Sequence, residues 1–199
     1  MDVKVSEGLE YAGTVRPCPG QSVSGDTIVI RTLDQALFVA MVDVLGHGAE
    51  AHDLTHVIDA YLARYGAGDV AGVMTRLHTH LRGTRGAAVG LCVIDPVVCR
   101  MDYTGVGNTA IRRFGSSESR LVSQDGVLGQ NMRTPHLQTL ELEPGDVIVL
   151  YTDGIRNNFA LNDYPGILRH SAQEVANNIV QRFGKDHDDA ACIAVRYKP

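Results

Sequence analysis

Ala36-Leu37-Phe38-Val39-Ala40-Met41-Val42-Asp43-Val44-Leu45-Gly46-His47-Gly48 passes from a strictly apolar run straight into an acidic turn punctuated by glycine. A run this short, apolar throughout and bounded by turn signals, predicts a strand buried on both faces. Residues 27–32 form a similar run, and Leu33-Asp34-Gln35 between the two predicts a hairpin. Downstream, Leu54, Val57, Ile58, Tyr61, Leu62 and Tyr65 recur with a 3.6-residue period and predict one helix face, ended by Gly66 and Gly68. Val70, Val73, Met74, Leu77 and Leu81 repeat the pattern behind Asp69, a predicted N-cap.

After Gly86 the period changes from helical to strand-like. Residues 11–15, 87–94, 99–104, 109–114 and 120–123 read as strands, and 137–142 with 147–151 read as a hairpin across Pro144-Gly145-Asp146. Ser171-Ala172-Gln173-Glu174 is a capping box that opens a third helix through Phe183, and residues 190–197 close the chain as a strand. Strands, two helices, many strands, a helix and a strand indicate an α+β layered fold and not alternating βαβ units. No linker, repeat or low-complexity stretch divides the sequence, so residues 1–199 are expected to form a single domain.

The 199 residues carry 18 Lys+Arg against 23 Asp+Glu, a net charge of −5, with 44% apolar and 21% charged residues. That is globular composition, and its acidic balance argues against nucleic acid or an anionic membrane as partner. The N-terminus lacks the apolar stretch of a signal peptide, and the longest apolar run falls far short of the ~20 residues that span a bilayer. Cys18, Cys92, Cys99 and Cys192 form no C-x-x-C pair; Cys92 and Cys192 lie in apolar runs and read as buried thiols. A reduced, cytoplasmic setting is expected.

Four aspartates stand where an apolar strand begins or ends: Asp26, Asp43, Asp153 and, beside Asp189, Asp188. One such aspartate is ordinarily a turn residue or a helix cap. Four brought together would repel one another unless a cation sat between them. Ligation by oxygen alone suits a hard ion such as Mg²⁺ or Mn²⁺.

The segments Asp43-Val44-Leu45-Gly46-His47-Gly48, Tyr151-Thr152-Asp153-Gly154-Ile155 and Asp188-Asp189-Ala190-Ala191 resemble the metal-binding motifs of the PPM family. These are metal-dependent serine/threonine protein phosphatases, here of the bacterial SpoIIE-like branch. Gly25-Asp26 is similar to that branch's first acidic motif, and Gly105-Val106-Gly107-Asn108-Thr109 to its glycine-asparagine hairpin. The resemblance implies an α-β-β-α sandwich, two antiparallel sheets between helical layers, with two Mn²⁺ or Mg²⁺ ions at one edge. It implies that Asp43 bridges the ions and that the Val44 carbonyl ligates one of them. Asp153 and Asp188 would hold the other, with Asp26 ligating directly or through water. Many relatives have glycine where Val44 stands, a change that a carbonyl ligand tolerates. A water activated between two metals attacks phosphorus in line, so no serine or cysteine nucleophile is needed. A catalytic domain of this length without a sensor module is most similar to stressosome feedback phosphatases. That likeness implies phosphorylated STAS-domain scaffold proteins as partners, met by surface between Asp153 and Ser171 that includes Arg156, Asn157, Asn158 and Arg169.

Other patterns carry weaker chemistry. His47, close to Asp43, could protonate a leaving oxygen, but a structural or solvated histidine is the plainer reading. His52 and His56 have the i, i+4 spacing of a zinc helix, yet Asp53 stands where the base would be glutamate, and both are expected to face solvent. Gly105-Val106-Gly107-Asn108-Thr109-Ala110 matches a dinucleotide fingerprint in form but precedes a strand and not a helix. Arg85 reads as a loop residue within possible reach of a phosphate. A catalytically silent binding module and a phosphatase of small phosphate esters are the alternatives to a protein phosphatase.

Overall fold

The computed structural model describes residues 4–6, 8–156, 164 and 166–199. Strands β1 (Lys4–Ser6), β2 (Leu9–Arg16), β3 (Asp26–Leu33) and β4 (Ala36–Val44) lead into helices α1 (Ala49–Tyr65) and α2 (Val70–His80). There follow β5 (Ala87–Asp95), β6 (Arg100–Val106), β7 (Ala110–Phe114), β8 (Glu118–Val122), β9 (Gln138–Glu141) and β10 (Val147–Tyr151). Helix α3 (Ala172–Phe183) and β11 (Ala190–Tyr197) end the chain. Two antiparallel sheets result, ordered β1-β2-β11-β10-β7-β8 and β3-β4-β5-β6-β9.

The alternation of strand side chains explains the layers. Along β4, Leu37, Val39 and Met41 enter the core between the sheets, where they meet Ile148, Leu150, Ile193 and Val195. Phe38, Ala40 and Val42 point the other way, onto Leu54, Ile58 and Leu62 of α1 and Met74 and Leu77 of α2. On the opposite flank Val175, Ile179 and Phe183 of α3 cover Val149, Cys192 and Ala194. Each buried Val, Leu, Ile or Phe contributes about 1.5–3 kcal/mol, so two-sided burial makes β4 a strong determinant of the fold.

The predicted caps form. The Asp69 carboxylate accepts the Gly72 N–H at 2.9 Å. At α3 the Ser171 hydroxyl accepts from the Glu174 N–H, and the Glu174 carboxylate accepts the Ser171 N–H at 3.1 Å. Cys92 and Cys192 are buried as expected, and all four cysteines are free thiols. Among the described residues no helix is long and apolar enough to cross a membrane.

Two expected hairpins are instead crossings between sheets. β9 pairs with β6, whereas β10 pairs with β7 and β11. The turn between them belongs to the sheet of β10 and β11: the Gly145 N–H binds the Tyr197 carbonyl, and the buried Asp146 carboxylate accepts the Glu143 N–H at 2.9 Å. Gly107-Asn108 likewise carries the chain from β6 in one sheet to β7 in the other. The segment that follows is a strand, so it opens no dinucleotide site.

The buried face of α1 also differs from the expected stripe. Ala51, Leu54, Thr55, Ile58 and Leu62 are buried, while Val57 and Tyr65 are exposed. Thr55 can replace an apolar residue because its hydroxyl donates to the His52 carbonyl at 2.6 Å.

Candidate metal centre

The strand alternation that builds the inner core also places the acids. Asp43 follows Leu37, Val39 and Met41 on the inward face of β4, and Asp26 precedes the inward Ile28 and Ile30 of β3. Thr152 follows the inward Ile148 and Leu150, and Asp189 precedes the inward Ala191 and Ile193. At one edge of the sandwich the apolar stripe therefore gives way to oxygen. Asp26 and Asp43 are direct cross-strand partners. Like charges placed opposite one another destabilise a sheet, so the register itself creates a position for a cation.

Asp43, Asp153 and Asp188 line one cleft of about 220 Å³ together with Asn108 and His47. Burial, then the neighbouring Asp153 and Asp188 carboxylates, push the Asp43 carboxyl up to about 7. Asn108 donates a hydrogen bond to Asp43 and opposes that rise. Asp26 lies beneath the cleft, 5% exposed, and its pKa is raised well above the usual range by burial first and by Asp43 next. Asp188 is raised in the same way, by burial and by Asp153. Among the described residues no three His, Cys, Asp or Glu side chains are already gathered around one point. What the edge offers is a set of hard oxygen donors whose shared charge Lys185 and Asn108 offset only in part, which fits Mg²⁺ or Mn²⁺ in donor chemistry. Val44 is the last residue of β4, next to Asp43, with its side chain buried toward the helices.

Neighbouring groups hold these acids in place. The Thr152 hydroxyl accepts the Ala191 N–H at 3.0 Å and donates to Asp26 Oδ2 at 2.7 Å. The buried Asp189 carboxylate accepts the N–H groups of Cys18 at 2.7 Å and Gly25 at 2.8 Å, fixing the entrance to β3. Arg16 donates to the carbonyls of Lys185 at 2.6 Å and Asp188 at 3.3 Å, and the Lys185 N–H binds the Gly154 carbonyl at 2.7 Å. Gly154 permits that approach, since a Cβ there would stand 1.7 Å from the Asp189 carbonyl oxygen. Gly46, at φ 87°, turns the chain out of β4 beside Arg85.

Asp43, Asp153, Asp188 and His47 share the cleft, and Asp26 supports it from below. His47 is exposed at the rim. Arg85 donates to the Leu45 carbonyl at 3.0 Å and pairs with Glu50, so it braces the turn after β4. Thr152 and Asp189 join the site without a motif of their own in the sequence. The signal that finds them is the inward parity of β10 and β11 extended past the strand ends. Arg156 and Arg169 are described; Asn157 and Asn158 lie outside the described residues.

Two antiparallel sheets between helices, with clustered aspartates at one edge, define the architecture of the PPM phosphatases. The chain belongs to the SpoIIE family, whose model, described as stage II sporulation protein E, matches residues 34–198. Among solved structures it is similar to a chain described with the bacterial stressosome, a modular system adapted to control secondary messenger signaling. That likeness has 25% identity and a TM-score of 0.88, over 94% of this chain and 99% of the other. It is similar to RsbX in complex with magnesium at 20% identity and a TM-score of 0.85, over 99% of each chain. The PP2C phosphatase domain of SpoIIE from Bacillus subtilis, with a fragment of its regulatory domain, aligns at 19% identity. Its TM-score is 0.78, over 96% of this chain and 62% of that one. No curated protein sequence matches the chain.

Proposed function

We propose that this chain is a metal-dependent protein phosphatase that hydrolyses phosphoserine or phosphothreonine. One observation carries the reading: Asp26 and Asp43 are forced opposite each other in register and share one edge with Asp153 and Asp188. Asp26, Asp43, Asp153, Asp188 and the Val44 carbonyl are the groups that would hold two Mg²⁺ or Mn²⁺ ions. Bound there, such a pair supplies a lowered water pKa and a clamp on the phosphoryl oxygens. Asn108 orients Asp43 by donating to it, and Asp189 and Thr152 keep the two sheet edges in register. His47, exposed at the rim of the cleft, stands where a proton could pass to the leaving serine or threonine oxygen.

The stressosome setting of one structural neighbour and the likeness to RsbX support STAS-domain scaffold proteins, of the RsbR and RsbS kind, as substrates. Purified protein with Mn²⁺ is expected to remove phosphate from such scaffolds faster than from an unrelated phosphopeptide, read by intact mass. Equal rates would remove the scaffold assignment. Absence of manganese-dependent hydrolysis of any phosphoprotein would remove the phosphatase reading itself.

A further inference from the structure

Two imidazoles that the phosphatase reading leaves unused stand one turn apart on α1. His52 and His56 hold their Nε2 atoms 3.1 Å apart, with ring centroids 4.5 Å apart and ring planes at 72°. His56 is exposed, as expected from sequence, whereas His52 is half-buried and anchored. Its Nδ1 lies 3.0 Å from the Ser24 carbonyl oxygen. A carbonyl only accepts, so Nδ1 carries the proton and neutral His52 presents a bare lone pair at Nε2. Donation of the second ring N–H to a backbone carbonyl is how proteins orient a histidine for metal ligation.

His56 faces the same point from the next turn. Moving its proton from Nε2 to Nδ1, on an exposed ring, gives a second lone pair with no change in net charge. An ion bonded at about 2.0–2.1 Å to two nitrogens 3.1 Å apart would see them at an angle of about 100°. That lies between a tetragonal and a tetrahedral shell, the geometries of copper and zinc. Asp59, one turn beyond, is held by the Thr27 hydroxyl, which its two oxygens accept at 3.0 and 3.1 Å. Among the described residues no third His, Cys, Asp or Glu completes the set, so the other positions of a bound ion would fall to water.

We propose that His52 and His56 form a bidentate surface site for an imidazole-preferring transition dication of the zinc–copper class. It is chemically separate from the all-oxygen aspartate edge and independent of the phosphatase reading. The two lie close in the chain: Ser24, which orients His52, also accepts the Asp26 N–H on its hydroxyl at 3.0 Å.

Cu²⁺ is the probe of choice, since it binds nitrogen sites most tightly in the divalent series. The titration is run with excess Mg²⁺ to occupy the aspartates and followed by electron paramagnetic resonance. The expected spectrum shows coupling to two imidazole nitrogens. Loss of an orienting partner alone costs about 10–100-fold in metal affinity, so loss of a ligand in His56→Ala should cost at least as much. The same variant should leave coupling to a single nitrogen, while His136→Ala, at an exposed histidine elsewhere, should change nothing. His56 is exposed, so the alanine variant is expected to fold, and a circular dichroism melt verifies it. Unchanged copper affinity and spectrum in folded His56→Ala would overturn the proposal, whatever the phosphatase assay shows.

Discussion

Replacing Thr152 by valine keeps the shape of a fully buried side chain and removes one oxygen that joins the two sheets. The Ala191 N–H can only donate to that oxygen, so the hydroxyl proton is committed to Asp26 Oδ2 at 2.7 Å. A hydrogen bond to a charged acceptor contributes about 1.5–3 kcal/mol, and a stranded buried N–H costs about 1–3 kcal/mol. These terms are not additive, because Asp26 can relieve part of the loss by taking up a proton, its pKa being already raised by burial. The expected destabilisation is therefore about 2–4 kcal/mol, or roughly 4–16 °C in melting temperature for a chain of this size. Thr152→Ser keeps the hydroxyl and loses one methyl group, so it should cost about 1 kcal/mol. Urea unfolding with a common m-value measures both variants. A Thr152→Val loss below about 1 kcal/mol, or equal losses in the two variants, would refute this account of the hydrogen bond.

Asp43→Asn and Asp153→Asn should each abolish manganese-dependent hydrolysis while leaving the circular dichroism spectrum intact, because an amide binds a hard cation far more weakly; near wild-type turnover in either would remove them as ligands. Mn²⁺ should raise the melting temperature of the wild type by binding only the folded form, and the rise should shrink in Asp43→Asn. In chelator-treated protein Asp43 is raised from 3.8 to about 7 on folding, so the folded state binds more protons in that interval and stability should fall as pH rises through it. A pH-independent melting temperature from about pH 4 to 7 would contradict this. Gly154→Ala forces a Cβ to within 1.7 Å of the Asp189 carbonyl oxygen and should cost about 1–3 kcal/mol or more together with activity; unaltered melting and turnover would show that the two loops are less tightly apposed.

What the sequence discloses depends on how local the cause is. The apolar run ending at Asp43, the capping box at Ser171 and the cap at Asp69 are written in adjacent residues, and the structure realises all three. Pro144-Gly145-Asp146 has the local signature of a hairpin turn. It becomes a sheet crossing because Asp146 and Gly145 find partners in Glu143 and in the distant Tyr197. Val57 looks like a core residue by spacing and is exposed, because Thr55 satisfies its own hydroxyl and takes the buried position. The aspartates of the candidate site were legible as strand-end acids. The cross-strand pairing of Asp26 with Asp43 was not, since it requires the register of the hairpin.

That pairing also explains why site and fold should be hard to separate experimentally. Asp26 and Asp43 come from the β3-β4-β5-β6-β9 sheet, whereas Asp153 and Asp188 flank β10 and β11 of the other. Neither sheet alone carries the set, so the cleft exists only when the core between them has closed. Thr152 and Asp189 are the protein's own cross-links at this edge, reaching Asp26 and the Gly25 N–H from the opposite sheet. A cation held by acids from both sheets would act in parallel with those hydrogen bonds and oppose separation of the layers. Thr152→Val removes one cross-link and leaves the acids in place, so manganese should stabilise it by the same free energy as the wild type. A manganese-induced stabilisation much smaller in Thr152→Val would mean that the hydroxyl also positions Asp26 for the ion.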